Sequence, residues 1–224
     1  MTRPPVLHGE VFGSGNDAAA CAAALALAMD GWRSAQARGS LREEQDRRSV
    51  LWVQTRKAAR IGGVPYRPGL PADVADRLVH VLARTCEDAL FAMEEGLRCR
   101  DLAFVLGEVD GNPRALDFTA SRRLSLAAER HGVPLWLIRL DAEAELSSAR
   151  ARWRVQARPS SPPQWNPAAP GAATWHGELF RSRLHPPGEW LLAWDGAGQL
   201  GIVSADALPP MRTGTRHGMR GQPG

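Results

Sequence analysis

Short apolar runs separated by polar or turn-forming stretches recur along the chain, and their order predicts an architecture before any single residue does. Glu10 to Met29, EVFGSGNDAAACAAALALAM, opens as a strand, passes through a Gly-containing loop and continues as a helix from about Ala18, with Asp17 or Asn16 as its N-cap. That helix is almost pure Ala and Leu, apolar nearly all round, which predicts burial on every side. Ser34 to Ser49 is polar and reads as a solvated helix end or loop; Val50-Leu51-Trp52-Val53 then makes a short buried strand. Gly62 to Pro71 is rich in Gly and Pro and reads as a turn-rich connection. Leu78 to Leu82 predicts a third strand, with a helix running from Ala72 as the weaker fit. Thr85 followed by Asp88 has the form of a helix cap, and Leu90, Met93 and Leu97 fall on one face of a helix at about 86–99. Leu102 to Leu106 is the most strand-like run, with Gly107 at its close. A turn over Gly111 to Asp117, a helix from Ala120 to Arg130 stopped by Gly132, and a strand over Pro134 to Leu140 complete the series. Such alternation predicts an α/β fold, a mostly parallel sheet with helices on both faces.

The last third changes character. Ala149, Ala151, Trp153 and Val155 alternate with Arg150, Arg152 and Arg154, so a strand here has one apolar and one strongly basic face. A row of arginines in that position is a candidate DNA contact; the alternative is a solvated face, or pairing with helix carboxylates. The stretch 159–173 is Pro/Ala-rich and reads as a linker or loop. Glu178 to Leu184 and Glu189 to Trp194 form a hairpin around His185-Pro186-Pro187-Gly188, with Gln199 to Ser204 as a further strand. The expected organisation is a core over 1–158, the linker over 159–173, a C-terminal β-hairpin extension over 174–208, and a disordered basic tail over 209–224.

Candidate chemistry centres on the first strand–loop–helix. A working phosphate loop is G-x-x-x-x-G-K-[ST]: backbone N–H groups cradle the phosphates, the Lys reaches the terminal ones and the hydroxyl holds Mg²⁺. Laid on Gly13, with Gly15 inside the loop, the template places Ala18 where the second Gly belongs, Ala19 where the Lys belongs and Ala20 where the hydroxyl belongs. The second strand ends in Gln54, Thr55, Arg56 and Lys57 rather than in a carboxylate that could activate water. At the fourth strand Gly107 stands where a metal-binding Asp would, with Glu108 one place late and so on the opposite face. The nucleotide site is therefore degenerate, and the sequence predicts no catalytic residue, no nucleotide cofactor and no hydrolysis of ATP.

Composition narrows this little further. The 224 residues are 44% hydrophobic and 23% charged, an ordinary globular balance for one domain with a short appendage. The net charge is +4, and all but one of the 28 basic residues are arginine, the single lysine being Lys57. Cys21, Cys86 and Cys99 form no C-x-x-C pair and read as inert thiols; the histidines show no ligand spacing, so no metal site is expected. With no apolar run of membrane-spanning length, no membrane association and a cytoplasmic location are expected. Of the tryptophans, Trp52, Trp136 and Trp153 lie in predicted strands and read as core, whereas Trp165 and Trp175 flank the Pro-rich stretch and are candidate partner anchors.

With these residues in hand the chain resembles the ImuA family, SOS-associated proteins built on a RecA-like core and often labelled SulA-like. The resemblance is carried by VLWV at Val50 to Val53, PGLPA at Pro68 to Ala72, DALFAMEEGLR at Asp88 to Arg98, VLGEV at Val105 to Val109, LDFTASRRLSLAAE at Leu116 to Glu129, ARARWRV at Ala149 to Val155 and ELFRSRLHPPGEWLLAWD at Glu178 to Asp195. It implies a RecA-like, P-loop-type core. It also implies a non-catalytic accessory role in error-prone translesion synthesis after DNA damage, in a mutasome with an ImuB-like polymerase homologue and an error-prone C-family DNA polymerase; RecA and DNA are further candidate partners. Arg181 and Arg183 sit where a RecA-like hairpin faces its neighbour and are candidates for self-association. The alternatives are a DNA-binding accessory factor that uses the basic strand face and a SulA-like inhibitor of cell division.

Overall fold

Side chains that alternate between two buried faces of the strands set the layers. The computed structural model describes residues 6–38, 46–194 and 200–202. Its strands are β1 (His8–Gly13), β2 (Ser49–Thr55), β3 (Leu78–Ala83), β4 (Leu102–Asp110), β5 (Leu135–Leu140), β6 (Ala151–Arg158), β7 (Ala173–Ser182), β8 (Gly188–Trp194) and β9 (Leu200–Ile202). The helices are α1 (Ala19–Arg38), α2 (Arg56–Gly62), α3 (Ala72–Ala75), α4 (Cys86–Arg98) and α5 (Phe118–His131). One sheet runs in the order β3-β2-β4-β5-β1-β6-β7-β8-β9. It is parallel from β3 to β6, and β7, β8 and β9 continue it antiparallel.

Val11, Val50, Trp52, Phe104, Leu106, Trp136 and Ile138 share a core with α1, while Leu51, Val53, Val105, Val109, Leu135 and Leu137 share a core with the α4–α5 layer. This period-2 division is that of a parallel sheet buried on both faces. Helix α1 reaches β1, β4, β5, β6 and β9, so protein covers it on more than one side, as its all-round apolar sequence requires. Among the described residues no helix is long and apolar enough to cross a membrane.

The local signals hold where capping fixes them. Thr85 Oγ1 accepts from Asp88 N at 3.1 Å while Asp88 Oδ2 accepts from Thr85 N at 3.2 Å, the reciprocal cap that starts α4. Asp117 caps α5 through Ala120 N at 2.8 Å, and Gly132 ends it at φ 72°, where a side chain would be strained. Asp17 Oδ1 accepts from Ala19 N at 2.8 Å at the start of α1. The strand at Leu78 is realised as β3, and the helix that starts at Ala72 is the four-residue α3, which stops before the strand and does not replace it.

Helix α1 continues to Arg38, five residues into the stretch read as a solvated helix end or loop, so the helix-end reading holds there. Two features differ from expectation. Helix α2 has no counterpart in the sequence reading; it forms because Thr55 Oγ1 accepts from Ala58 N at 3.1 Å, a cap formed at the end of a strand. Strand β4 does not close at Gly107 but continues to Asp110. Gly107 lies within it because α4 packs directly over that point, a Cβ there falling against Met93. The strand expected over Gln199 to Ser204 is present as β9 within the described residues, and the tail 209–224 lies outside them.

Two glycines give a test of opposite sign. A Cβ on Gly9 would enter the ring of Trp136, its register partner on β5, so Gly9→Ala should cost about 1–3 kcal/mol through overpacking. Gly31, exposed within α1 with nothing near its Cβ position, should give about 0.5–1 kcal/mol of added stability when replaced by Ala. Urea unfolding of the two variants measures both.

Candidate functional site

At the carboxyl ends of the strands, the turn from β1 into α1 occupies the phosphate-loop position, and the chain itself fills it. Gly15 N donates to Asp141 Oδ1 at 3.0 Å, and Asp141 N donates to the Gly13 carbonyl at 3.0 Å. Asp141 holds φ at 48°, a left-handed conformation rare for a residue with a side chain, and this aims its carboxylate into the loop. A Cβ at Gly15 would meet Asp141 Oδ2 at 2.7 Å and collide with Ile61 of α2. Ala18 is exposed, whereas Ala19 and Ala20 are core residues; Ala20 packs so closely that a Cβ on Gly13 would lie 2.9 Å from its own. The backbone amide that would meet an anion thus serves an internal carboxylate, and the helix start behind it is apolar.

Lys57 stands at the same sheet edge, three-quarters exposed, and pairs with Asp110, which also accepts from Thr55 Oγ1 at 3.3 Å. The proximity of Asp110 to the single lysine raises the lysine's pKa. Gln54 and Glu108 face one another instead of solvent: Gln54 Nε2 donates to Glu108 Oε2 at 2.8 Å, Trp52 Nε1 donates to the same oxygen at 3.2 Å, and His80 Nε2 lies 2.8 Å from Gln54 Oε1. Burial raises the pKa of Glu108, against the opposing effect of those donors and of Cys21. Among the described residues no group of three His, Cys, Asp or Glu side chains is placed to hold a metal ion.

The arginine row on the last parallel strand is turned inward or paired. Arg152 Nε donates to Glu10 Oε2 at 2.6 Å, the two side chains 4% and 1% exposed, and its guanidinium lies over the rings of Phe12 and Phe180. Arg154 is half exposed, pairs with Glu178 at 2.6 Å and covers Phe180. Arg150 precedes β6 and pairs with Glu129 on α5. A continuous unpaired basic face is therefore not formed, and at Arg150 the alternative reading, pairing with a helix carboxylate, holds. β1 and β7, laid on either side of β6, supply a carboxylate each and a ring each, while α5 supplies the third carboxylate; Arg152 has no surface to offer a phosphate. No sequence periodicity signalled this, because the partners are 21 to 142 residues away.

A polar network that the sequence reading missed surrounds this pair. Ser147 Oγ donates to Glu10 Oε1 at 2.7 Å and lies 2.9 Å from Ser121 Oγ; Ser121 Oγ lies 3.1 Å from Ser148 Oγ, and Ser148 meets Ser125 Oγ, which sits 2.6 Å from His8 Nδ1. The signal was present as paired serines, Ser121 and Ser125, four apart on one face of α5. Burial lowers the His8 pKa from 6.5 to about 4, outweighing the upward pull of Glu10.

Trp52 and Trp136 are core residues, and Trp153 is half-buried against Trp190. Trp175, expected as a partner anchor, is instead buried in β7 beside Trp194, because β7 begins at Ala173 and turns this side chain toward the α1 core. Trp165 lies in the loop and is 80% exposed. Arg181 and Arg183 are exposed near the end of β7, and Arg183 N donates to the Arg150 carbonyl at 3.0 Å.

A central strand followed by a loop and a buried helix, in a sheet of order 3-2-4-5-1-6 with helices on both faces, defines an α/β protein compatible with a RecA-like core whose phosphate loop lacks its Lys and hydroxyl. No family model matches the chain. It is a distant homologue of Protein ImuA: over 160 residues, 67% of its length, it is 32% identical to Protein ImuA of Caulobacter vibrioides strain NA1000 / CB15N, and the same figures hold for Protein ImuA of strain ATCC 19089 / CIP 103742 / CB 15. The chain spans 62% of the length of those relatives.

Removing the buried cation should separate the arginines. Arg152→Met strands Glu10 and should cost about 3–5 kcal/mol, whereas Arg154→Ala, at a half-exposed pair, should cost about 1 kcal/mol or less. Denaturant titration distinguishes them. His8 gives a pH signature: the unfolded chain takes up its proton near pH 6.5 and the folded chain only near 4, so this contribution is complete above 6.5 and is lost as pH falls to 4. A loss of roughly 3 kcal/mol over that interval is expected, and His8→Gln should flatten it.

Proposed function

We propose that the chain is a non-catalytic accessory protein of SOS-induced, error-prone translesion synthesis, which holds protein partners and does not turn over nucleotide. The observation that carries this reading is the loop after β1. Its Gly15 amide is committed to Asp141, its helix start offers Ala18, Ala19 and Ala20, and the single lysine is paired with Asp110. Phosphoryl transfer relies on donors and cations fixed on the phosphates, and loss of one such group costs orders of magnitude in rate. Here several are replaced together. The homology to Protein ImuA supports the accessory role and points to an ImuB-like polymerase homologue as the first partner, with an error-prone C-family polymerase in the same complex. Trp165, exposed beyond the sheet, is a candidate anchor for such a partner.

Purified protein should hydrolyse ATP no faster than buffer and should co-purify with an ImuB-like partner from the same cell. Turnover at an ordinary ATPase rate, or indifference to every such partner at micromolar concentration, would overturn the reading. Trp165→Ala should weaken partner retention without lowering thermal stability.

A further inference from the structure

Beside the loop, between α1, the β2–β4 pair and the turn after α2, lies a cavity of about 260 Å³. Trp52, Trp194, Tyr66 and Pro65 contribute to its wall, Cys21 and Leu25 of α1 close one side, and Glu108 lies at its base. The volume falls just under the roughly 300–1,000 Å³ of ordinary ligand sites, which is room for one small group and too little for a nucleotide.

Its carboxylate is unlike the other buried acid. Glu10 has both oxygens satisfied and a guanidinium against it. Glu108, 1% exposed, accepts from Trp52 and Gln54 on Oε2 and has the Cys21 thiol as a further neutral donor; among the described residues Oε1 has no partner at hydrogen-bond distance and no cation pairs with the group. That oxygen points toward Gly62 at the cavity wall, where a Cβ would lie 3.4 Å from it. A buried acceptor left unpaired costs free energy that any N–H or O–H donor would relieve; a cation with N–H donors would in addition compensate the buried charge. The walls restrict its shape, since aromatic faces favour a flat, weakly hydrated cation. Trp194 Nε1 is a further buried polar atom without a partner among the described residues.

We propose that this cavity is a binding site for a guanidinium group, seated against the aromatic side chains with its N–H donors on Glu108 Oε1. A free guanidino compound and an arginine side chain of another protein carry the same group. Gly63, Val64 and Tyr66 are exposed where the cavity opens, so either could reach it. The site adjoins the phosphate-loop position, Ala18 lying in its wall, and does not depend on the accessory role proposed above.

The test follows indole N–H resonances in ¹⁵N-labelled protein. Because Trp52 Nε1 donates to Glu108, its resonance should move saturably with N-acetyl-arginine amide or with agmatine, and not with N-acetyl-citrulline amide, the uncharged isostere. Tighter binding of agmatine assigns the site to a free compound, and tighter binding of the capped arginine to a protein side chain. Glu108→Gln, which preserves shape, should weaken binding about tenfold or more, as loss of a charged hydrogen bond requires. Tyr66→Ala, at an exposed position that leaves the fold intact, should weaken it severalfold. An equal response to citrulline, an unchanged affinity in Glu108→Gln, or no movement of Trp52 with either cation would overturn the proposal. None of these outcomes bears on ATP turnover or on partner co-purification.

Discussion

The bond between Glu10 and Arg152 is the constraint on which the rest of the sheet depends. Two charges removed from water at the middle of a sheet are costly unless the remaining hydrogen-bonding capacity is met. Here Ser147 takes the second carboxylate oxygen and Phe12 and Phe180 face the guanidinium, while Arg152 Nη2 has no hydrogen-bond partner among the described residues, so the capacity is met on the carboxylate side only. The pair joins the central strand to β6, the last parallel one, and the ring of Phe180 extends the contact to β7, where the direction reverses. The connection from β5 to β6, residues 141–150, carries no helix. Its serines bond instead to α5, so a polar network stands where a parallel crossover usually places an amphipathic helix.

The alanines of α1 serve packing and remove chemistry at the same positions. Ala20 is fully buried and approaches β1 at Gly13 closely enough that neither residue has room to grow. A lysine in place of Ala19 would carry an ammonium into a core without a partner. Close docking of this helix and a working phosphate loop are therefore competing uses of one strand–loop–helix. Asp141 completes the exchange by supplying an internal anion to the one amide of Gly15 that would have met a phosphate.

Buried charge is handled in two ways. Around β6, each arginine of the row meets a carboxylate, and the electrostatics close internally. Around β4, Glu108 is held by neutral donors on Oε2, while Oε1, beside Gly62 at the cavity wall, has no hydrogen-bond partner among the described residues. The first arrangement ties neighbouring strands together; the second leaves the buried acceptor on which the guanidinium proposal rests.

By itself the sequence determined the α/β class, the capped helices α4 and α5, the buried strands and the absence of the phosphate-loop lysine and hydroxyl, because each is written in residues close together in the chain: Thr85 with Asp88, Gly132 after Arg130, Ala18 to Ala20 after Gly13. Only the tertiary structure decided the fate of the basic strand face, the burial of Trp175 and the continuation of β4 past Gly107. Those depend on which strands lie beside β6 and on Met93 packing over a glycine, partners far away in sequence that no local period can specify. Asp141 in the loop and Glu108 in the cavity belong with them, since the burial and desolvation of a carboxylate come into being only when the sheet, α1 and the turn after α2 close around it.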